Sequence, residues 1–200
     1  MNIKRLIPKL KNVRPSDASH GFSLTGKMLL SHPALRDPSF RRTIVFLPNH
    51  DVEGGAFGLI INRPTPEVLA DFLVEPPAST ALSQVPVYTG GPVGTDELTL
   101  AAFSFSANTG LVSCQTHLSL DEAEAMKSGG ESIVRAFRGY AGWTSGQLEG
   151  EINQHAWLVR EAEAKLIASE LNEQTWVGLV SALGPAYRLL ALAPDDPSLN

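Results

Sequence analysis

Residues 43–64 read TIVFLPNHDVEGGAFGLIINRP, and this stretch decides the fold class. Residues 43–47 are β-branched and aromatic, a composition suited to a buried strand. Residues 49–55 are polar and end on glycine, which predicts a solvated loop. Residues 56–61 form a second apolar run of strand length, stopped by Asn62-Arg63-Pro64. Two buried strands therefore follow one another with no helix between them.

Working outward, residues 27–31 predict a short strand, and residues 32–40 a turn-rich loop around Asp37-Pro38. Downstream, Thr65 is expected to cap a helix with Pro66 at its first position and Val68, Leu69, Phe72 and Leu73 on its apolar face. Further strands are expected at 85–88, 97–103, 110–115, 132–138 and 157–160. Ser119 and Glu122 form a capping box for a helix that ends before Gly129-Gly130. Thr144 and Gln147 form a second box for a short helix over 144–152. Asn172 caps a helix with Trp176, Leu179, Val180 and Leu183 on its buried stripe, terminated by Gly184. Strands outnumber helices and do not alternate with them one for one. That pattern disfavours a doubly wound parallel sheet and predicts an α+β fold.

Composition sets the outer bounds. Two hundred residues with 43% hydrophobic and 18% charged side chains are enough for one globular domain. No run approaches the roughly 20 apolar residues of a membrane-spanning helix. The single cysteine, Cys114, has no internal disulfide partner and belongs to no Cys-x-x-Cys pair. It predicts a half-buried strand residue and a reducing, cytoplasmic setting. The net charge of −5 argues against a nonspecific grip on nucleic acid. Residues 1–21 run the other way, with Lys4, Arg5, Lys9, Lys11 and Arg14 against Asp17 alone. Pro8 interrupts the helical spacing there, so residues 1–21 read as a basic, flexible leader and residues 22–200 as a single domain.

Five stretches carry a family resemblance: GKMLLSHPALRDPSFRRTIVFL (26–47), EGGAFGLIINRP (53–64), YTGGPV (88–93), GYAGWTSGQLEGEI (139–152) and DDPSLN (195–200). In this order and spacing the chain resembles the AlgH/YqgE family of bacterial cytosolic proteins, over nearly everything from Phe22 onward. The resemblance implies a compact α+β domain whose bifurcated β-sheet curls into a pseudo-barrel with helices packed outside. It supplies no catalytic residues to carry over, and one branch of the family bears the label of transcriptional regulator. After GGPV many relatives place a histidine following a short strand, where this chain reads Thr99-Leu100-Ala101-Ala102.

The residues themselves nominate a ligand site at glycine-rich turns. Gly139, Gly142 and Gly146 are expected between a strand and the first turn of a helix, where free N–H groups and the helix dipole can hold an anion. Trp143 and Gln147 belong to the same stretch. The competing reading is a packing turn with Tyr140 and Trp143 in the core. Gly90-Gly91-Pro92 offers a backbone nest, but a turn whose glycines supply positive φ is the favoured reading. Arg63 offers a planar fork for carboxylate or phosphate, or else a salt bridge that holds a turn. The nominated ligand-binding residues are thus Arg63, Gly90, Gly91, Gly139, Gly142, Trp143 and Gln147. His50, Asp51 and Glu53 read as a solvated polar loop, and the other histidines lack ligand spacing, so neither metal nor cofactor is expected. No Gly-x-Ser-x-Gly elbow, phosphate loop or helix-turn-helix is present, which leans against a catalyst and against direct nucleic-acid binding. The expected role is a non-catalytic regulatory or adaptor protein acting through a protein partner or small effector. The alternatives are an enzyme or sensor for a phosphorylated or nucleotide-like molecule at the glycine turns, and a transcriptional regulator.

Overall fold

A computed structural model describes residues 23–74, 80–106 and 109–193. The basic leader read over residues 1–21 and the DDPSLN segment lie outside the described residues. The strands are β1 (Lys27–Ser31), β2 (Ile44–Asp51), β3 (Gly55–Ile60), β4 (Pro64–Val68), β5 (Pro86–Thr89), β6 (Val93–Phe105), β7 (Val112–Thr116), β8 (Ser132–Trp143) and β9 (Trp157–Glu161). The helices are α1 (Thr80–Ser83), α2 (Leu120–Ser128), α3 (Gln147–Asn153), α4 (Ala164–Ile167), α5 (Glu173–Ser181) and α6 (Pro185–Leu192).

All nine strands join one sheet that forks at β8. The first part of β8 pairs in parallel with β5, from Val87 opposite Ala136 to Thr89 opposite Arg138. Its last residues pair with β3 instead, from Gly58 opposite Ala141 to Ala56 opposite Trp143. The long β6 runs antiparallel along β8 and hairpins into β7. One branch therefore ends at β4, and the other continues through β3, β2 and β1 to β9. The sheet is bifurcated and curled, but among the described residues no strand pairing closes it into a barrel. Curling brings Phe46 of β2 within 5.3 Å, ring to ring, of Phe103 on the non-adjacent β6.

The two faces of this sheet hold separate cores. Phe46, Leu59, Phe103 and Phe137 fill the inner face together with Ile167, Trp176 and Val180 from the α4–α5 region. On the other face of β1–β3, Leu29, Val45 and Ile60 pack against Leu148 and Ile152 of α3. A third cluster joins Val87, Ala102 and Ala136 to Ala123 of α2. Capping placed two of these helices as read. The Glu122 N–H donates to Ser119 Oγ at 3.3 Å while the Ser119 N–H donates to Glu122 Oε2 at 2.8 Å. At α5 the Thr175 N–H donates to Asn172 Oδ1 at 3.1 Å.

Three expectations give way. The helix read from Thr65 is absent: Pro64–Val68 is an edge strand, followed by one 3-10 turn at Leu69–Phe72. Thr65 precedes a proline, which biases it to extended backbone, and its hydroxyl donates to Val87 O at 3.0 Å across the strand pair. Edge position lets Pro64 and Pro66 go without ladder N–H groups. Secondly, β8 continues through Gly139 and Gly142 to Trp143, so only Gly146 of the three glycines lies in the turn before α3. Gly142 sits opposite Phe57 in a strand pair. Thirdly, residues 49–51 extend β2, and His50 is buried rather than solvated.

The fork itself requires glycine. The Gly90 N–H donates to Arg138 O and its carbonyl accepts from the Ile60 N–H, both at 2.8 Å, so Gly90 sits where the branches part. A Cβ there would lie 2.2 Å from Gly139 O, and one on Gly91 would lie 2.1 Å from Tyr140 C, both against backbone. Gly91→Val is expected to cost about 4 kcal/mol or more, lowering Tm by roughly 10 °C. Gly150→Ala, inside α3 with open space around the new methyl, should instead stabilise by up to about 1 kcal/mol. Circular dichroism melts of the two variants decide it; equal effects would mean that the backbone crossing is not the constraint.

Candidate functional site

Of the nominated residues, Arg63 and Trp143 meet at the loop of residues 38–41, whereas Gly90, Gly91, Gly139 and Gly142 stay at the strand crossing and in β8. Arg63 directly precedes β4 and turns its guanidinium back over residues 38–41. It donates to Ser39 O at 2.9 Å, Arg41 O at 3.0 Å and Pro38 O at 3.1 Å. The fork is thus used on three carbonyls rather than on a carboxylate. Burial first, and the neighbouring Arg41 second, push this guanidinium below its ordinary pKa, with Glu173 and Asp37 opposing. The Arg63 carbonyl in turn accepts from the Thr89 N–H at 2.9 Å, one residue before the Gly90 fork.

The same loop is held from its other side by an aromatic cluster. Phe40 stacks on Trp143 at 6.2 Å and meets Trp157 edge-on at 5.4 Å. The two tryptophans are themselves 5.9 Å apart, and Glu151 ties them together. Its Oε2 accepts both indole N–H groups, at 2.9 Å from Trp143 and 2.7 Å from Trp157. Its Oε1 accepts from Gln147 Nε2 at 2.9 Å. One carboxylate on α3 thereby accepts from two buried indole N–H groups and from the exposed Gln147 amide. Gln147 and Trp143 are brought together, but on Glu151, with Gly139 and Gly142 in the strand behind them.

The loop's third anchor is Arg42, which adopts a left-handed φ of 53°. Its guanidinium pairs with Glu173 on α5, donates to Ala193 O at 2.9 Å and lies 6.0 Å over the Trp176 ring. Asn62 completes the clamp: its Nδ2 donates to Arg42 O at 2.9 Å and its Oδ1 accepts from the Ile44 N–H at 2.7 Å. Arg36, Arg41 and Arg42 together with Pro33, Trp176 and Leu190 wall an open cavity of about 190 Å³ outside the loop. Beside it α6 exposes Leu189 (75%), Leu190 (49%) and Leu192 (60%).

Several groups were not legible as partners in the sequence. His50 is one: the Leu24 N–H donates to its Nδ1 at 3.1 Å, which leaves the ring proton on Nε2, facing Glu149 Oε1 at 2.8 Å. The pair staples β2 to α3. Arg135 is another, 3% exposed, donating to Ile167 O at 2.6 Å and Ser169 O at 3.0 Å and lying 5.0 Å over the Tyr88 ring. Burial lowers its pKa from the ordinary value, with Tyr88 and Cys114 opposing. Among the described residues, no group of three or more His, Cys, Asp or Glu could hold a metal ion, and no helix is long and apolar enough to cross a membrane.

A family model described as AlgH-like matches residues 28–188, the span that contains the loop and the side chains of Arg63, Glu151 and Glu173 that hold it. The chain belongs to the AlgH-like family. A UPF0301 protein of Streptomyces coelicolor is 37% identical over 187 residues, covering 89% of this chain and 96% of the relative. A UPF0301 protein of Bacteroides fragilis is 34% identical over 209 residues and covers all of both chains. The solution structure of the AlgH protein from Pseudomonas aeruginosa superposes on this AlgH-like chain with a TM-score of 0.61 at 28% identity, covering 92% of this chain and 98% of that one. A crystal structure of a Corynebacterium diphtheriae protein gives the same TM-score at 18% identity, over 84% of this chain and 92% of that one, and shares the fold.

Two measurements test this geometry. Arg63→Ala should cost about 2–3 kcal/mol by stranding half-buried carbonyls, and Arg63→Lys should recover little, because an ammonium lacks the fork. Trypsin cleavage after Arg36 and Arg41 should then rise more than tenfold; unchanged cleavage would show that other contacts hold the loop. Burial also pushes the Cys114 thiol up from 9.0 to about 12, with Arg135 pulling the other way. The thiolate population at pH 8 should be about a thousandfold smaller than in the unfolded chain. Iodoacetamide should therefore label Cys114 slowly in the native protein and rapidly in guanidinium, and equal rates would contradict the burial.

Proposed function

We propose that this AlgH-like chain is a non-catalytic regulatory or adaptor protein of the cytoplasm, acting through a protein partner or small effector. One observation carries the reading. The polar groups of the nominated site are spent on holding residues 38–42, and what that clamp presents outward is an arginine-walled cavity beside exposed leucines. Rigid loops on a fixed scaffold are where binding surfaces are usually built. A phosphorylated or nucleotide-like effector draws support from the same arginines more than from the glycine turns. The Gly90 N–H is already donated to Arg138 O, and Gly139 and Gly142 lie within β8. Direct duplex binding draws the least support, given a net charge of −5.

The test is capture on the immobilised full-length chain at about 0.15 M salt, followed by reconstitution from purified components. A stoichiometric partner that rebinds in purified form is the expected result. A parallel thermal-shift screen with nucleotides, phosphate esters, carboxylates, divalent metals and duplex DNA reads the effector arm. A ligand at 100 times its Kd adds about 2.7 kcal/mol of stability. Turnover of any screened compound that vanishes in a folded Arg63→Ala variant would replace the adaptor reading with an enzyme.

A further inference from the structure

Two arginines stand inside the curled sheet rather than at its surface. Arg160 of β9 is 2% exposed and Arg135 of β8 is 3% exposed. Arg160 lies opposite Met28 of β1, and Met28 opposite Phe46 of β2, so the three share the inner face. Arg135 lies 5.7 Å over the Phe103 ring, which meets Phe46 at 5.3 Å. Its Nη2 donates to Ile167 O and Ser169 O, but its Nη1 and both Nη atoms of Arg160 are buried without a hydrogen-bond partner. Among the described residues neither guanidinium forms a salt bridge. Glu163 is the acid that bears on Arg160, and Tyr88 and Cys114 bear on Arg135. Two interior cations thus face one carboxylate. A buried cation with unmade hydrogen bonds is costly, and a negatively charged acceptor offsets that cost.

We propose that the concave side of the sheet binds a small monocarboxylate with a short aliphatic tail, its carboxylate taken by Arg160 and its tail by the cavity between β1, β2 and β7. The proposal rests on the reading of the chain as a binding protein and names the class of its small effector. The cavity holds about 290 Å³, at the small end of the range for bound small molecules. Phe46, Ala162 and Cys114 line it, and each connects it to an arginine. Phe46 shares the inner face with Arg160, and Ala162 lies two residues beyond Arg160 on the same face of the chain. Cys114 is the residue on which Arg135 acts. An arginine stem can span the roughly 7 Å between alternate strand positions. Its fork then gives a carboxylate at Ala162 two parallel N–H bonds. Pro48, Leu111 and Val112 supply an apolar wall for the tail. Lys27 at the rim is paired with Glu161 at 2.6 Å, so the rim adds no net charge and the selection for an anion comes from within.

The probe is hexanoate, titrated into the full-length protein by isothermal calorimetry. The controls are hexanol, which lacks the charge, hexylammonium, which reverses it, and acetate, which lacks the tail. The expected result is saturable, submillimolar binding of hexanoate that weakens at least tenfold with every control. Amide shifts in two-dimensional NMR should concentrate at residues 25–27 and 111–114. Arg160→Met should weaken hexanoate at least tenfold while Tm holds or rises, because an aliphatic chain replaces a buried cation that lacks partners. Leu111→Trp, at a cavity residue that is 59% exposed, should block the tail and weaken binding by a similar factor. It decides alone if Arg160→Met does not fold. No saturation by about 10 mM hexanoate, equal binding of hexanol, or affinity unchanged by both substitutions overturns the proposal. Acetate that binds as tightly as hexanoate overturns the tail and leaves a simple anion site. A purified protein partner that rebinds while hexanoate does not would overturn this site and leave the adaptor reading standing.

Discussion

The architecture depends on a place where two backbones touch. Gly90 and Gly91 cross Gly139 and Tyr140 with no room for a single Cβ between them. Because they do, β8 can pair with β5 up to Arg138 and with β3 from Ala141 onward, and one strand can serve two branches. Any side chain at the crossing would push the branches apart and separate the inner core, built around Phe46, Phe103 and Phe137, from its roof. The glycines here serve close approach, and the Gly90 N–H is occupied by Arg138 O rather than turned to solvent.

From that fork, order spreads to the loop at residues 37–42 through a chain of short contacts. Gly90 is adjacent to Thr89, which bonds the Arg63 carbonyl, and the Arg63 side chain holds three loop carbonyls. On the opposite side Phe40 rests on two tryptophans that share the carboxylate of Glu151. Arg42 ties the loop to α5 and to the end of α6. A left-handed backbone at a residue as bulky as arginine is tolerated only where the surroundings over-determine it, and here they do. The outcome is a loop rigid enough to present Arg36 and Arg41 at fixed positions beside α6.

Much of the fold was legible in particular residues. Ser119 with Glu122, and Asn172 before Trp176, announced two helices through local capping chemistry. The run at 27–31 became β1 with the same bounds, and every strand read from apolar runs exists. Thr65 and Pro66 misled because the same residues that open a helix also suit an edge strand, and the pairing of Thr65 with Val87 O decided between them. Gly139 and Gly142 misled because glycine in sequence does not distinguish a turn from a strand that must be approached closely. The helix α6 went unread: Pro185 opens it, but its leucines face outward and so carry no buried stripe.

Neighbours a few residues apart set the strands, caps, stops and α+β class, and five motifs in order carry the family. Tertiary structure alone decided what each polar group is for. Arg63 bonds carbonyls 22 to 25 positions away, Arg42 pairs with Glu173 131 positions away, and His50 meets Glu149 99 positions away. A guanidinium or an imidazole has the same local signature whether it awaits a ligand or staples two strands. Only the folded chain, by bringing distant donors and acceptors to within 3 Å or so, settles which groups are spent on structure and which face outward.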